Sequence, residues 1–178
     1  MNNKIVYVPL AVDILHSGHL NIINRAKKYG KVVIGLLSDN AVAEYKNIPS
    51  LEYEERYKIV KNLKNVHKII KQDTWDYSKV LNSLKPDYFV HGDDWKKGIQ
   101  KKTRQKVIRL LKKNRGKLIE IPYTKNISSS SIKSDLINHL TPTSRVSILK
   151  RLIDSKKIVR ILESHSPLSG IIAENIKF

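Results

Sequence analysis

The chain has no cysteine, and only 7% of its residues are aromatic, two of them tryptophan. The lack of cysteine excludes disulfides, thiolate metal sites and a cysteine nucleophile, and it fits the reducing cytoplasm. No apolar run approaches the roughly 20 residues needed to cross a bilayer, and the N-terminus lacks the long apolar segment of a signal peptide. We therefore expect a soluble cytoplasmic protein that has no membrane partner.

Acidic residues are also scarce, because 16 Asp and Glu stand against 34 Lys and Arg, which gives a net charge of +18. Such a surplus is typical of nucleic-acid-binding domains. It also arises from lysines scattered over helix surfaces, and a positive field can steer polyanions towards a phosphate site. The aromatic residues form no stripe on which bases could stack. We expect no nucleic-acid partner; a basic nucleic-acid-binding module is the alternative from another class.

Apolar, β-branched runs alternate with helical patterns along most of the chain. The runs favour strands at 5–8, 31–37, 66–70, 88–91 and 117–121, and the spacing of apolar residues favours helices at 20–28, 52–63, 77–84, 103–113 and 128–140. This alternation predicts an α/β domain over residues 1–140 with a mainly parallel sheet. Because ligands bind beyond the carboxyl ends of such strands, functional residues are expected directly after them.

A break at Thr141-Pro142 separates residues 141–178 from this domain. The pattern predicts a helix at 145–155, a strand at 158–162 and the beginning of another helix at Gly170. We interpret this segment as a linker followed by the truncated start of a second domain.

The segment His16-Ser17-Gly18-His19 lies between the first predicted strand and a helix. Gly18 lets the backbone approach a ligand closely, and the helix N-terminus offers N–H groups and a positive dipole end to phosphate. Both histidines can donate to phosphate oxygens as negative charge moves towards a leaving pyrophosphate. Metal binding and simple capping of the helix are the alternatives, and two histidines without a third ligand make a poor zinc site.

Other polar residues also follow predicted strands. Hydroxyls at Ser128 to Ser131 stand at a predicted helix start, where they can cap the helix and bind phosphate at once. Asp93 and Asp94 are either turn residues or ligands of a base or ribose, and Trp95 is either core or part of a nucleotide pocket. Lys46 and Arg56 are either surface cations or phosphate contacts.

Four of these segments occur in the order of a known family. Residues 13–19 resemble the HxGH signature of the cytidylyltransferase-like nucleotidyltransferases, and residues 53–56 resemble their Y-E-x-R segment. Residues 91–95 resemble the G-D-D-W stretch of glycerol-3-phosphate cytidylyltransferases, and residues 127–132 resemble the I-S-[ST]-[ST]-x-I motif. The resemblance covers about residues 4–138. It implies a Rossmann-like, HUP-type parallel sheet with helices on both faces, and a homodimer.

The resemblance also implies transfer of CMP from CTP, with Mg²⁺ carried by the nucleotide and no protein side chain as metal ligand. It makes His16, His19 and Lys46 the catalytic residues, and it places Lys46, Arg56 and Arg104 against the substrate. The implied nucleotide-binding residues are Ala11, Val12, Gly18, Gly92, Asp93, Asp94, Trp95, Tyr123, Thr124, Ile127, Ser128, Ser129 and Ser130.

The chain departs from the common family pattern in ways that bear on the acceptor. Tyr123-Thr124-Lys125 replaces the usual R-T-x, and Lys125 can supply the charge of that arginine but not its fork. This stretch and residues 101–105 are similar to cytidylyltransferase domains fused to phosphoenolpyruvate mutases, and residues 161–170 resemble the start of such a mutase domain. The resemblance implies 2-hydroxyethyl- or 2-aminoethylphosphonate as acceptor, without mutase activity. Glycerol 3-phosphate, giving CDP-glycerol, is the alternative acceptor, and adenylyl transfer is a more distant one.

Overall fold

The structure is a computed structural model that describes residues 3–44, 47–96, 100–122, 124, 128–129, 132–133, 142–155 and 166–175. Its strands are β1 (Ile5–Leu10), β2 (Lys31–Leu37), β3 (Val66–Gln72), β4 (Tyr88–Gly92) and β5 (Lys117–Ile121). Its helices are α1 (Ser17–Lys27), α2 (Asp39–Ala43), α3 (Tyr53–Lys61), α4 (Ser78–Leu84), α5 (Lys101–Lys113), α6 (Pro142–Ser155) and α7 (Pro167–Asn175), and a 3₁₀ helix spans Asp93–Lys96.

The strands form one five-stranded sheet in the order β3-β2-β1-β4-β5, and every neighbouring pair is parallel. After β1 the chain adds β2 and β3 on one side and then crosses to the other side for β4. The order therefore reverses between β1 and β4, and in open α/β sheets ligands bind at such a switch point. The predicted Rossmann-like α/β fold is confirmed.

Helices cover both faces of the sheet, as the continuous apolar runs of the central strands predict. On one face, Ile23 and Ala26 of α1 and Val60 of α3 pack into one buried cluster with side chains of β1 and β2. On the other face, Leu81 of α4 and Leu111 of α5 pack into a second buried cluster with Tyr7, Phe89 and Trp95.

Several element boundaries differ from the sequence prediction. Helix α1 begins at Ser17 rather than residue 20, because the side chain of His16 caps it. Helix α2 was not predicted, since five residues are too few to show a helical period. Helix α7 begins at Pro167, three residues before Gly170, and proline suits a first helical position.

Parts of the predicted pattern fall outside the described residues. The predicted strand at 158–162 is one of them. Of the helix predicted at 128–140, the structure describes Ser128, Ser129, Ile132 and Lys133, of which the last three are helical. Within the described ranges, no helix is both long and apolar enough to cross a membrane.

Candidate active site

The histidine segment predicted from the sequence forms the N-terminal turn of α1. The backbone N–H of Gly18 donates to Nδ1 of His16 over 3.2 Å, and the N–H of His16 donates to Nδ1 of His19 over 3.3 Å. This reciprocal arrangement is a capping box in which two imidazoles replace the usual hydroxyl and carboxylate. It brings the two ring centroids within 4.0 Å of each other at the end of β1.

These two hydrogen bonds also fix where the imidazoles carry their protons. A ring nitrogen that accepts a hydrogen bond carries no proton, so each neutral ring is protonated at Nε2. His16 and His19 therefore present Nε2–H as their donor groups, with the ring orientation held by the backbone. Donors that are oriented before a reaction can stabilise charge without the cost of reorganisation.

Gly18 is required by the imidazole of His16. A Cβ at position 18 would lie 2.9 Å from both Cε1 and Nδ1 of that ring. Gly18 is buried, and its helical backbone needs no unusual torsion. The glycine is therefore a matter of space: it lets the ring lie across the helix N-terminus.

The chain after β5 closes over the same turn. The side-chain amide of Asn21 donates to Oγ1 of Thr124 over 3.2 Å, and the hydroxyl of Ser129 donates to the carbonyl of Ile14 over 3.2 Å. Thr124 thus lies against α1 and Ser129 against the loop after β1; nucleotide binding is predicted for Thr124, and phosphate binding for Ser128 and Ser129. Their contact with a nucleotide stays a prediction, and Lys46, Tyr123, Ile127 and Ser130 lie outside the described residues.

A salt bridge that sequence reasoning missed lies beside the histidines. Nζ of Lys133 lies 2.6 Å from Oδ2 of Asp13, and the two side chains are 19% and 12% exposed. Nζ also donates to the carbonyl of Ile48 over 3.0 Å, and Oδ1 of Asp13 accepts the N–H of Ser50. The pair therefore joins three separate stretches of chain.

Arg56, for which substrate contact is predicted, lies inside the protein. Its side chain has no exposed surface. The guanidinium donates to the carbonyl of Ala11, to the carbonyl of Leu51 over 3.1 Å and to Oδ1 of Asp39 over 2.7 Å. With three partners inside the protein, it does not reach a ligand in this conformation. Burial thus argues against direct substrate contact, and Arg56 is instead positioned to hold the loop after β1.

That loop contains a backbone conformation unusual for its residue type. Val12 has φ of 49°, in the left-handed region that β-branched residues rarely adopt, and its side chain is buried in the core. The turn at Val12 leads directly to Asp13. The side chain of Val12 is buried, and the carbonyl of Ala11 is already bonded to Arg56. Their predicted nucleotide contacts stay predictions.

The segment after β4 divides into core and surface. Trp95 is 1% exposed, and its ring stacks on His91 at 4.0 Å between centroids and on Phe89 at 5.6 Å. Trp95 is therefore a core residue in this structure, as one of the two alternatives predicted, and its contact with a nucleotide stays a prediction. Gly92 has little room for a side chain, since a Cβ would lie 2.8 Å from Oδ1 of Asp94.

Asp93 and Asp94 start the 3₁₀ helix at the carboxyl end of β4. This strand lies directly beside β1 in the sheet. The two carboxylates and the histidine turn therefore flank the switch point from its two sides. Base or ribose binding by these carboxylates, and nucleotide contact by Gly92, stay predictions.

Arg104 lies in a charged network on this side of the sheet. Its Nε and Nη2 lie 2.8 and 3.0 Å from the two carboxylate oxygens of Glu120, which also accepts the indole N–H of Trp95 over 2.8 Å. The hydrogen bonds from Arg104, with a smaller contribution from Trp95, lower the pKa of Glu120 to about 2 against the opposing effect of burial. Arg104 is thus paired within the protein, and its predicted substrate contact is not tested.

The segments after β1, β4 and β5 all lie within a region of the chain that is similar to known proteins. Residues 12–135 match the family model described as cytidylyltransferase-like. The chain belongs to the cytidylyltransferase-like family. It is 30% identical over 129 residues to the ethanolamine-phosphate cytidylyltransferase of Dictyostelium discoideum, a match that covers 71% of this chain and 35% of the relative.

A second relative and one solved structure are also similar to this chain. The glycerol-3-phosphate cytidylyltransferase of Bacillus spizizenii is 29% identical over 127 residues, covering 70% of this chain and 90% of the relative. The lipopolysaccharide core biosynthesis protein of Thermoplasma volcanium GSS1 superposes with a TM-score of 0.57 at 23% identity, over 70% of this chain and 98% of that one. The latter likeness supports the fold alone. The chain thus spans about a third of the Dictyostelium relative's length and nine tenths of the Bacillus relative's.

The next question is which side chains could hold a divalent metal ion. Among the residues that the structure describes, no three His, Asp or Glu side chains come together as a metal site. Asp13 already has Lys133 as its partner. Mg²⁺ needs few protein ligands when substrate phosphates bind it. Delivery of Mg²⁺ by the nucleotide stays a prediction.

Proposed function

We propose that this protein is a CTP-dependent cytidylyltransferase that transfers CMP to a small phosphorus-bearing acid and releases pyrophosphate. The observation that carries the proposal is the histidine capping box at the switch point of the sheet, which fixes two Nε2–H donors beside a helix N-terminus. Membership of the cytidylyltransferase-like family and relatives that use phosphate acceptors support it.

The proposed reaction is an in-line displacement at phosphorus. An oxygen of the acceptor attacks the α-phosphorus of CTP, and the bond from that phosphorus to the oxygen bridging the β-phosphate breaks. Positioning and charge stabilisation carry such a transfer. His16 and His19 donate to oxygens on which negative charge increases, and the positive dipole end of α1 beside them favours the phosphate. Mg²⁺ bound to the triphosphate would neutralise part of its charge.

Lys46 and the serine run complete the proposed site. Lys46 would hold the triphosphate or the acceptor as a point charge, and Ser128 to Ser130 would bind phosphate oxygens. The hydroxyl of Ser129 lies beside the loop that leads to His16 and donates to the carbonyl of Ile14, a bond that it would exchange for one to a phosphate oxygen. A homodimer belongs to the proposal on the family resemblance, and a cytoplasmic location belongs to it on the lack of cysteine.

For the acceptor we propose a small phosphonate, 2-hydroxyethyl- or 2-aminoethylphosphonate. The support is the resemblance of residues 101–105, 122–125 and 161–170 to proteins that join a cytidylyltransferase to a phosphoenolpyruvate mutase. Glycerol 3-phosphate is the second candidate, favoured by the Bacillus relative, of which this chain covers 90%.

Pyrophosphate release with CTP and a panel of acceptors tests the reaction and separates the two candidates. The panel contains both phosphonates, glycerol 3-phosphate and ethanolamine phosphate, with ATP replacing CTP in a parallel series. We expect turnover with CTP and a higher kcat/KM for a phosphonate. A higher kcat/KM for glycerol 3-phosphate would replace the acceptor but leave the reaction class. Salt-dependent binding of RNA or DNA, with no turnover of CTP, would refute the enzyme.

Variants of the histidines test the roles of the two donors. In single-turnover experiments, His16→Ala and His19→Ala should each slow the chemical step by about 10²–10³-fold, with a modest change in CTP affinity. His67→Ala is the matched control, because His67 is an exposed histidine on β3. Wild-type rates in either active-site variant would contradict the assignment.

A further inference from the structure

The salt bridge between Asp13 and Lys133 joins stretches that are far apart in sequence. Asp13 lies in the loop after β1, and Lys133 lies in the helical turn that follows the serine run. The two charged atoms are 2.6 Å apart, and less than a fifth of either side chain is exposed. A pair so far from solvent is screened less than a surface pair.

Each member of the pair has a further bond to a third stretch. Nζ of Lys133 donates to the carbonyl of Ile48, and Oδ1 of Asp13 accepts the N–H of Ser50. The carbonyl of Ser50 in turn accepts from Arg151 of α6 over 2.6 Å. Residues 48–50 are therefore bound to both members of one salt bridge, and a shift of these residues would break the hydrogen bonds to them.

The three joined stretches carry the groups of the proposed mechanism. Asp13 stands three residues before His16, Ile48 stands two residues after Lys46, and Lys133 stands four residues after Ser129. One ion pair thus ties the histidine turn to residues 47–50, which we call the lysine loop because they follow Lys46, and to the helical turn of Lys133 after the serine run. Reacting groups must be placed closely, since an error of about 1 Å can cost about 10²-fold in rate.

We propose that Lys133 is a positioning residue: through Asp13 it sets the lysine loop and the serine run against the histidine turn. This inference rests on the proposed cytidylyl transfer for its catalytic consequence. Two other roles would give the same static picture. The pair could support only the stability of the fold, or Lys133 could itself bind the triphosphate after leaving Asp13.

Three variants separate these roles: Lys133→Met, Asp13→Asn and the double variant. Each single variant leaves one half-buried charge without its partner, whereas the double variant removes both, so thermal unfolding should show the double variant as the more stable. For a positioning pair we expect kcat to fall about 10²-fold in all three, with little change in KM for CTP. The losses should not add, because the pair acts as a unit.

Lys106→Met is the matched control. It breaks the salt bridge between Lys106 of α5 and Asp76, which is 2.7 Å long and about half exposed. This pair joins α5 to the turn before α4 and touches none of the three stretches. We expect wild-type kcat and KM.

Amide hydrogen exchange measures the placement of the loop without any turnover. The N–H of Ser50 is protected by Asp13 in the structure. Exchange over residues 47–52 should therefore be faster in Lys133→Met and in the double variant than in the wild-type protein or in Lys106→Met. Unchanged exchange would overturn the positioning role.

The other outcomes are equally decisive. Recovery of wild-type kcat in the double variant would make the pair a support of stability alone. Tighter CTP binding in Asp13→Asn, with weaker binding in Lys133→Met, would make Lys133 a phosphate ligand. If the wild-type protein turns over no CTP with any acceptor, the proposed function fails, and the exchange measurement still decides whether Lys133 holds the loop.

Discussion

Replacing Gly18 with alanine should separate the activity of this protein from its stability. The new Cβ would lie 2.9 Å from two atoms of the His16 ring, so the imidazole must move. The lost hydrogen bond from the Gly18 N–H costs about 1 kcal/mol. Alanine in place of a helical glycine gains up to about 1 kcal/mol. These contributions offset each other, so we expect the free energy of unfolding to change by less than about 1 kcal/mol.

Activity should respond very differently, because the displaced ring no longer presents its Nε2–H in the same place. We expect kcat/KM for CTP to fall by about 10²-fold. Urea unfolding gives the stability, and pyrophosphate release gives the rate. Gly18→Ala with wild-type kcat/KM would refute the view that the glycine makes room for a catalytic imidazole.

Gly35, which lies in strand β2 of the sheet, offers the opposite case. A Cβ there would lie 1.9 Å from the buried hydroxyl of Tyr7, which is held by Gln72. Because Tyr7 lies in the core, Gly35→Ala should lower the free energy of unfolding by about 1–3 kcal/mol or more. At temperatures where the variant stays folded, its kcat/KM should be close to that of the wild type. The two glycine variants together show which effect each position controls.

Two further predictions concern the buried charges. Glu120→Gln should lower the free energy of unfolding at pH 7 by about 1–3 kcal/mol, since it removes the charge that binds Arg104. The pKa of Glu120 is lowered from 4.5 to about 2. In urea unfolding experiments the stability difference should therefore be full above pH 4.5 and should fade as the pH falls towards 2. Arg56→Lys should cost about 3 kcal/mol, because lysine cannot make the three bonds of the fork; unchanged stability with a raised KM would restore Arg56 as a substrate contact.

The fold could be predicted from the sequence because the signals for it are local. Strand β2 is a continuous apolar run that is buried on both faces, and its bounds agree with the prediction. Helix α2 has no such signal, since its five residues leave the helical period unresolved. The start of α1 was misplaced because histidine is an unusual capping residue, and its role depends on a ring lying over Gly18.

The candidate site was predictable only where residue types and spacing carry the chemistry. The histidine turn has both, and the structure brings it together as a unit. The role of Lys133 could not be predicted, because its partner Asp13 is distant in sequence and nothing in the sequence distinguishes Lys133 from a surface lysine. Burial could not be predicted from the motifs either: Arg56 and Trp95 stand in recognisable motifs, yet their side chains are fully enclosed.

The strand order explains why enclosed residues occur within the motifs of this site. The strand order reverses between β1 and β4, and in open α/β sheets the loops at such a switch turn away from each other and leave a crevice. Such a crevice keeps its shape only if the loops are held from behind. Arg56 binds the β1 loop through Ala11, and Trp95 anchors the β4 segment by stacking on His91. Burial therefore distinguishes Arg56 and Trp95, which hold these loops, from Asp94, whose side chain is 47% exposed.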